Sequence, residues 1–228
     1  MATPPRQPDP VGSTPDPVAP YREAVARFGP KFEALLWNKP AAQLARFDAI
    51  IEAVRTKGAV IADIGCGLAD LANRLDEHAA GHAGYIGVDA LPELLTEAAE
   101  RTSANVGTAP RSFVEADFAT APDLFHRLVA DHGANTFTFS GSLNTFDPAA
   151  ATAVLDRAWT AAATVPAGQL AFNFLSTRHH GKATNNTGPA HRFDPVALLT
   201  WALDRTPLVT FRQDYLAGHD ALITMTTA

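Results

Sequence analysis

A single cysteine, Cys66, stands in a chain of 228 residues. It excludes an intramolecular disulfide framework and any multi-cysteine metal site, and it fits a reducing compartment. Cations are also scarce: 18 Lys and Arg face 24 Asp and Glu, for a formal net charge of −6. Such a balance repels a phosphate backbone unless basic residues cluster, and the one modest cluster runs from Arg178 to Lys182 and on to Arg192. A nucleic-acid partner is therefore not expected, whereas a small-molecule or peptide substrate is. Long apolar runs are missing as well. The longest, such as Leu170–Leu175, fall far short of the roughly 20 residues that span a bilayer. Met1 opens a polar, Pro-rich stretch instead of a secretory signal. No membrane association is expected, and the cytoplasm is the expected compartment.

What the chain does have is enough apolar material, 46% of residues, for one continuous core. Residues 1–20 carry seven prolines and almost no large apolar side chains, which reads as a disordered tail. Residues 21–57 read as N-terminal helices, divided by Pro30 and Pro40, with Leu44, Phe47, Ile51 and Val54 recurring at the spacing of one helical face.

From residue 58 to 228 the texture changes. Short β-rich runs, Ala59–Ile64, Tyr85–Asp89, Phe113–Ala116, Thr136–Ser140 and Gln169–Leu175, alternate with segments of helical periodicity. Runs that are apolar throughout are buried on both faces, as in a parallel sheet covered by helices on each side. Leu208–Tyr215 and Ala221–Thr226, joined by a short Gly-containing connection, read as a terminal hairpin. The expected fold class is α/β, a three-layer sandwich around a seven-stranded, mostly parallel sheet.

Chemistry concentrates where the first strand meets its helix, in Asp63-Ile-Gly65-Cys66-Gly67-Leu-Ala69-Asp70. Two glycines there allow a ligand to approach the backbone at a helix N-terminus. Asp89 ends the second strand 22 positions after Gly67, close to the offset at which a carboxylate meets ribose hydroxyls in nucleotide-binding units. A cap on the following helix is the plainer role for the same residue. The third run places Asp117 and Phe118 at the corresponding edge, suited to a hydrogen bond and an apolar wall for a base.

Asp63-Ile-Gly65-Cys66-Gly67-Leu-Ala69, then Asp89, then Asp117 resembles the class I, Rossmann-like methyltransferases that use S-adenosylmethionine. Phe28-Gly-Pro, Leu36-Trp37-Asn38, Gln43, Arg46-Phe47, Ala171–Thr177 and Arg212–Tyr215 resemble a bacterial branch of them. The resemblance implies that Asp63 and Gly65 face the methionine end, Asp89 the ribose hydroxyls, and Asp117 with Phe118 the adenine, with Cys66, Gly67 and Ala90 also against the donor. It implies that the helices before the first strand form a lid bearing Trp37 and Asn38. Ala69 departs from the pattern where many members carry a third glycine.

An oxidoreductase using NAD(P) is the main alternative, and it calls for Gly-x-Gly-x-x-Gly; Asp70 occupies the last of those positions and would repel a pyrophosphate. A non-catalytic scaffold of the same fold is another. After the fourth strand, Ser140 and Asn144 are the expected catalytic residues: Ser140 also borders the donor, and Asn144 meets the acceptor with Trp37, Asn38 and Asn173. Helix capping is the alternative role for Ser140 and Asn144. His179, His180 and His191 lie in one polar segment, but an adjacent His pair rarely presents both rings to one ion without a third fixed ligand, so no metal site is expected.

Overall fold

The computed structural model describes residues 16–103, 109–179 and 188–227. Seven strands form one sheet: β1 (Val60–Ile64), β2 (Gly84–Asp89), β3 (Arg111–Glu115), β4 (Thr136–Phe139), β5 (Gln169–Leu175), β6 (Val209–Arg212) and β7 (Asp220–Thr226). Their order is β3-β2-β1-β4-β5-β7-β6. The first five run parallel, and β7 is antiparallel to both β5 and β6. The terminal hairpin is therefore present, with β7 inserted between β5 and its own hairpin partner. β2, β4 and β5 are buried along their whole length, as strands covered on both faces must be, while the edge strands β3 and β6 are half open.

Among the described residues there are seven α-helices, two before β1 and five between strands: α1 (Ala19–Phe28), α2 (Pro40–Ala53), α3 (Asp70–Glu77), α4 (Pro92–Ser103), α5 (Leu124–His132), α6 (Pro148–Ala162) and α7 (Pro195–Leu203). On one face, α5, α6 and α7 pack Phe125, Leu155 and Leu198 into the core built around Phe137, Phe172 and Phe174. On the other, α2, α3 and α4 bring Phe47, Ile50, Leu71, Leu75 and Ala98 against Ile61, Tyr85, Ala171 and Leu222. Asp147 caps α6 by accepting from the N–H groups of Ala149 and Ala150, both at 2.9 Å, and Asp194 caps α7 through Val196 at 3.1 Å. Ser140 and Asn144 are thus not the caps of α6.

Two features differ from the sequence reading. Of the segment read as a tail, residues 1–15 lie outside the described residues, but Val18 is buried and α1 begins at Ala19, with Pro20 in its first turn where a missing N–H costs nothing. In α2 the buried face carries Gln43, Arg46, Phe47, Ala49 and Ile50, whereas Leu44 points outward. The apolar periodicity misses this rotation because two of the inward residues are polar. A short 3-10 turn, Phe32–Leu35, fills the gap between the two prolines.

Candidate functional site

A cleft of about 1020 Å3, counted out to its open mouth, lies at the carboxyl ends of β1, β2 and β4. Open α/β sheets bind ligands at this edge, where the chain crosses from one face to the other. Gly65 and Gly67 form its floor with left-handed φ of +75° and +55°. A Cβ at Gly65 would overlap Ser142, and one at Gly67 would come within 2.7 Å of Leu35 Cδ2, so both turns are packed from above by protein. Ala69, at the position of the third glycine, is also left-handed at φ +56°, a conformation that costs an alanine about 1 kcal/mol.

Two buried carboxylates sit in the cleft. Asp63 accepts from the Tyr85 hydroxyl at 2.7 Å, and burial, reinforced by the neighbouring Asp89 charge, pushes its pKa up to about 7. Asp89 accepts from the Gly67 N–H at 2.9 Å and the Leu91 N–H at 3.0 Å; burial raises its pKa above the usual carboxylate range despite these bonds. The Leu91 bond is the capping role, and each oxygen keeps a second lone pair for a ligand. Burial also pushes the Cys66 thiol up, so it lines the cleft as a neutral group. Among the described residues, no Lys, Arg or His lines the cleft.

Phe118 forms an apolar side wall, stacked on Phe146 with ring centroids 5.4 Å apart, and Ala90 and Leu91 continue it. Ser140, Gly141, Ser142, Asn144 and Thr145 form the rim after β4. The Ser142 hydroxyl donates to the Ile64 carbonyl at 2.6 Å, tying this rim to the glycine turn. The Asn144 carbonyl accepts from the His191 N–H at 2.6 Å, while its side-chain oxygen is buried without a partner. Pro17, Val18, Tyr21, Leu35, Leu36 and Trp37 cover the cleft from the N-terminal side.

Most of the residues named from sequence converge here: Asp63, Gly65, Cys66, Gly67, Asp89, Ala90, Phe118, Ser140, Asn144 and Trp37. Four lie elsewhere. Asp117 turns back on its own loop, accepting from the Ala119 N–H at 2.9 Å. Asn38 is exposed outside the wall. Asn173 is buried behind the rim, accepting from the Gly141 N–H at 2.8 Å. Asp70 faces a separate groove, paired with Arg101 at 2.9 Å and accepting from Gln43 at 3.2 Å. Among the described residues, the acidic character of the cleft therefore comes from Asp63 and Asp89. Pro17, Val18 and Tyr21 were hidden by the Pro-rich composition around them; the helical spacing of Tyr21 and Val25 behind Pro20 was the available signal.

The strand order, the antiparallel β7 and the glycine turn beside two acids define the fold of the class I, Rossmann-like methyltransferases. Solved structures agree. The S-adenosylmethionine-dependent methyltransferase SibL in its apo form matches with a TM-score of 0.62 and 15% identity, over 92% of this chain and 69% of that one. Small RNA methyltransferase HEN1 matches at 0.63 and 15%, over 84% of this chain and 26% of that one. Phosphoethanolamine N-methyltransferase 1 of Haemonchus contortus, in complex with phosphoethanolamine and S-adenosylhomocysteine, matches at 0.61 and 11%, over 92% and 49%. No protein-family profile and no curated protein matches the chain.

Proposed function

We propose that this chain transfers a methyl group from S-adenosylmethionine to a small-molecule or peptide acceptor by in-line displacement. One observation carries the reading: a glycine-floored cleft holds two buried carboxylates and, among the described residues, no cationic side chain. A sulfonium cation without phosphate suits such a cleft, whereas the pyrophosphate of NAD needs the opposite polarity. The fit is thus one of charge as well as shape. The compared methyltransferases act, by their names, on RNA and phosphoethanolamine among other acceptors, so the fold leaves the acceptor open.

When bound, S-adenosylmethionine supplies an electrophilic methyl carbon. The chain's residues hold and orient. The free lone pairs of Asp89 suit ribose hydroxyls, Phe118 and Ala90 a base, and Asp63 with the backbone of Gly65, Cys66 and Gly67 the methionine end. Ser140, Asn144 and Trp37 also border the cleft, and they suit the alignment of an acceptor and the exclusion of water. Asn38, further out on the same segment, and Asn173, behind the rim, would act indirectly. A displacement of this kind needs alignment more than a strong acid or base, which suits a rim of hydroxyl and amide groups.

Calorimetry with S-adenosylmethionine, S-adenosylhomocysteine and NAD tests the reading, followed by a metabolite screen with methyl-labelled donor. Binding of the first two without NAD is expected, with label transferred to an acceptor. Binding of NAD with no response to the methyl donor would overturn it. Donor bound but never turned over with any acceptor would instead favour a scaffold.

A further inference from the structure

We infer that Arg46 and Asp220 are positioning residues that hold Trp37 in the wall of the cleft; the inference rests on the donor-binding reading above. Trp37 lies between the 3-10 turn and α2, in a stretch with no helix or strand of its own, just after Leu36 at a left-handed φ of +57°. Its place therefore depends on what its ring touches.

The first contact is Arg46. Its guanidinium carbon lies 4.5 Å from the Trp37 ring centroid, within the range of a cation–π interaction. The same guanidinium donates to Asp220 through Nε at 3.1 Å and through Nη2 at 2.7 and 2.9 Å. Asp220 opens β7 opposite Leu175 and is fully buried; its Oδ2, which accepts from Arg46 Nη2 at 2.9 Å, also faces His219 Nδ1 at 3.6 Å. The second contact is Gly141, where a Cβ would come within 2.6 Å of Trp37 Cη2, so the ring rests on bare backbone. Gly141 in turn donates its N–H to Asn173 on β5. The ring is thereby anchored through two residues to β5 and β7, two neighbouring interior strands of the sheet.

A buried ion pair is weak support for stability, because an apolar pair of equal volume serves as well without the desolvation cost. Its place here is explained by what it does for the ring. Arg46 stiffens the wall from behind, and Asp220 neutralises a charge that would otherwise oppose a sulfonium.

The test is a double-mutant cycle read as S-adenosylhomocysteine affinity in the parent, Trp37→Ala, Arg46→Met and the combined variant. Arg46→Met alone should weaken binding by about fivefold or more, and by under about twofold once Trp37 is absent. Equal losses in both backgrounds would make Arg46 a structural residue and overturn the inference. Should Arg46→Met not fold, because it strands the Asp220 carboxylate, Arg46→Met/Asp220→Asn removes both charges and takes its place in the cycle. Asp220→Asn should also weaken S-adenosylmethionine about threefold more than the uncharged S-adenosylhomocysteine; equal losses for the two would overturn the neutralising role. A parent protein that binds neither compound would overturn the donor reading itself, a result distinct from an additive cycle.

Discussion

Asp89 shows how one side chain serves both the fold and a ligand. Its two oxygens accept from Gly67 and Leu91, so it fixes the glycine turn and the start of α4 before any ligand arrives. Asp89→Ala is expected to weaken donor binding by about 2–3 kcal/mol through lost charge-assisted hydrogen bonds, and to lower the melting temperature because the Gly67 N–H loses its partner. Asp89→Asn should restore much of the stability through its remaining acceptor and much less of the affinity. Calorimetry beside thermal melts separates the two. Normal donor binding in Asp89→Ala would leave only the capping role. At this scale the sequence offset from Gly67 picks out Asp89, which lines the cleft, whereas Asp70, read from the glycine pattern as part of the same acidic rim, faces a separate groove. The left-handed turn at Ala69 starts α3 with Asp70 facing Arg101, and no spacing rule reports that rotation.

The elements that cover the cleft were less legible than those that build its floor. Parallel strands announce themselves as unbroken apolar runs, and β1, β2, β4 and β5 fall where such runs are. The cover is made of α1, the 3-10 turn and α2, whose inward faces mix Tyr21, Gln43 and Arg46 with apolar residues, so hydrophobic periodicity blurs there. Arg46 finds Asp220 across 174 positions, a pairing no local window contains. One element-level consequence is that Gly67 faces the cover. A side chain at Gly67 meets Leu35 and must also adopt a left-handed conformation. Gly67→Val is therefore expected to displace the 3-10 turn and to weaken donor affinity by at least about tenfold, with protease sensitivity appearing between Phe28 and Pro40. Affinity within about threefold of the parent, under about 1 kcal/mol, would separate the turn from donor binding.

For the whole molecule, the acids of the cleft set a pH dependence. The Asp63 pKa of about 7 lies above its ordinary value of 3.8, so the folded state takes up a proton more readily than the unfolded chain. Its contribution to stability is then full below about pH 4 and is lost as pH rises through about 7. Asp48 works in the other direction: the Arg74 guanidinium holds its carboxyl below the ordinary range, so its contribution is lost in acid. Asp63→Asn, which keeps an acceptor for the Tyr85 hydroxyl, should melt higher than the parent at pH 8 and differ little at pH 4. Melting curves across that range check it, and a difference independent of pH would place the Asp63 titration elsewhere. Donor binding should oppose the same titration, since a cation nearby favours the ionised acid; affinity for S-adenosylmethionine is expected to fall as pH drops below 7.

The position of β7 also sets an order of assembly. β7 is the last strand in sequence, yet it lies between β5 and β6, so β6 has no place in the sheet until β7 has entered. The hairpin of β6 and β7 is local in sequence, whereas the pairing of β7 with β5 spans a longer stretch of chain and completes the sheet. Asp220, the first residue of β7, arrives with that step, and only then does Arg46 have its partner. During synthesis the glycine turn, the two acids and the covering helices all emerge from the ribosome earlier, with Trp37 supported only from the Gly141 side. A chain cut before β7 thus holds nearly every residue that lines the cleft while lacking the Asp220 carboxylate behind Arg46 and Trp37.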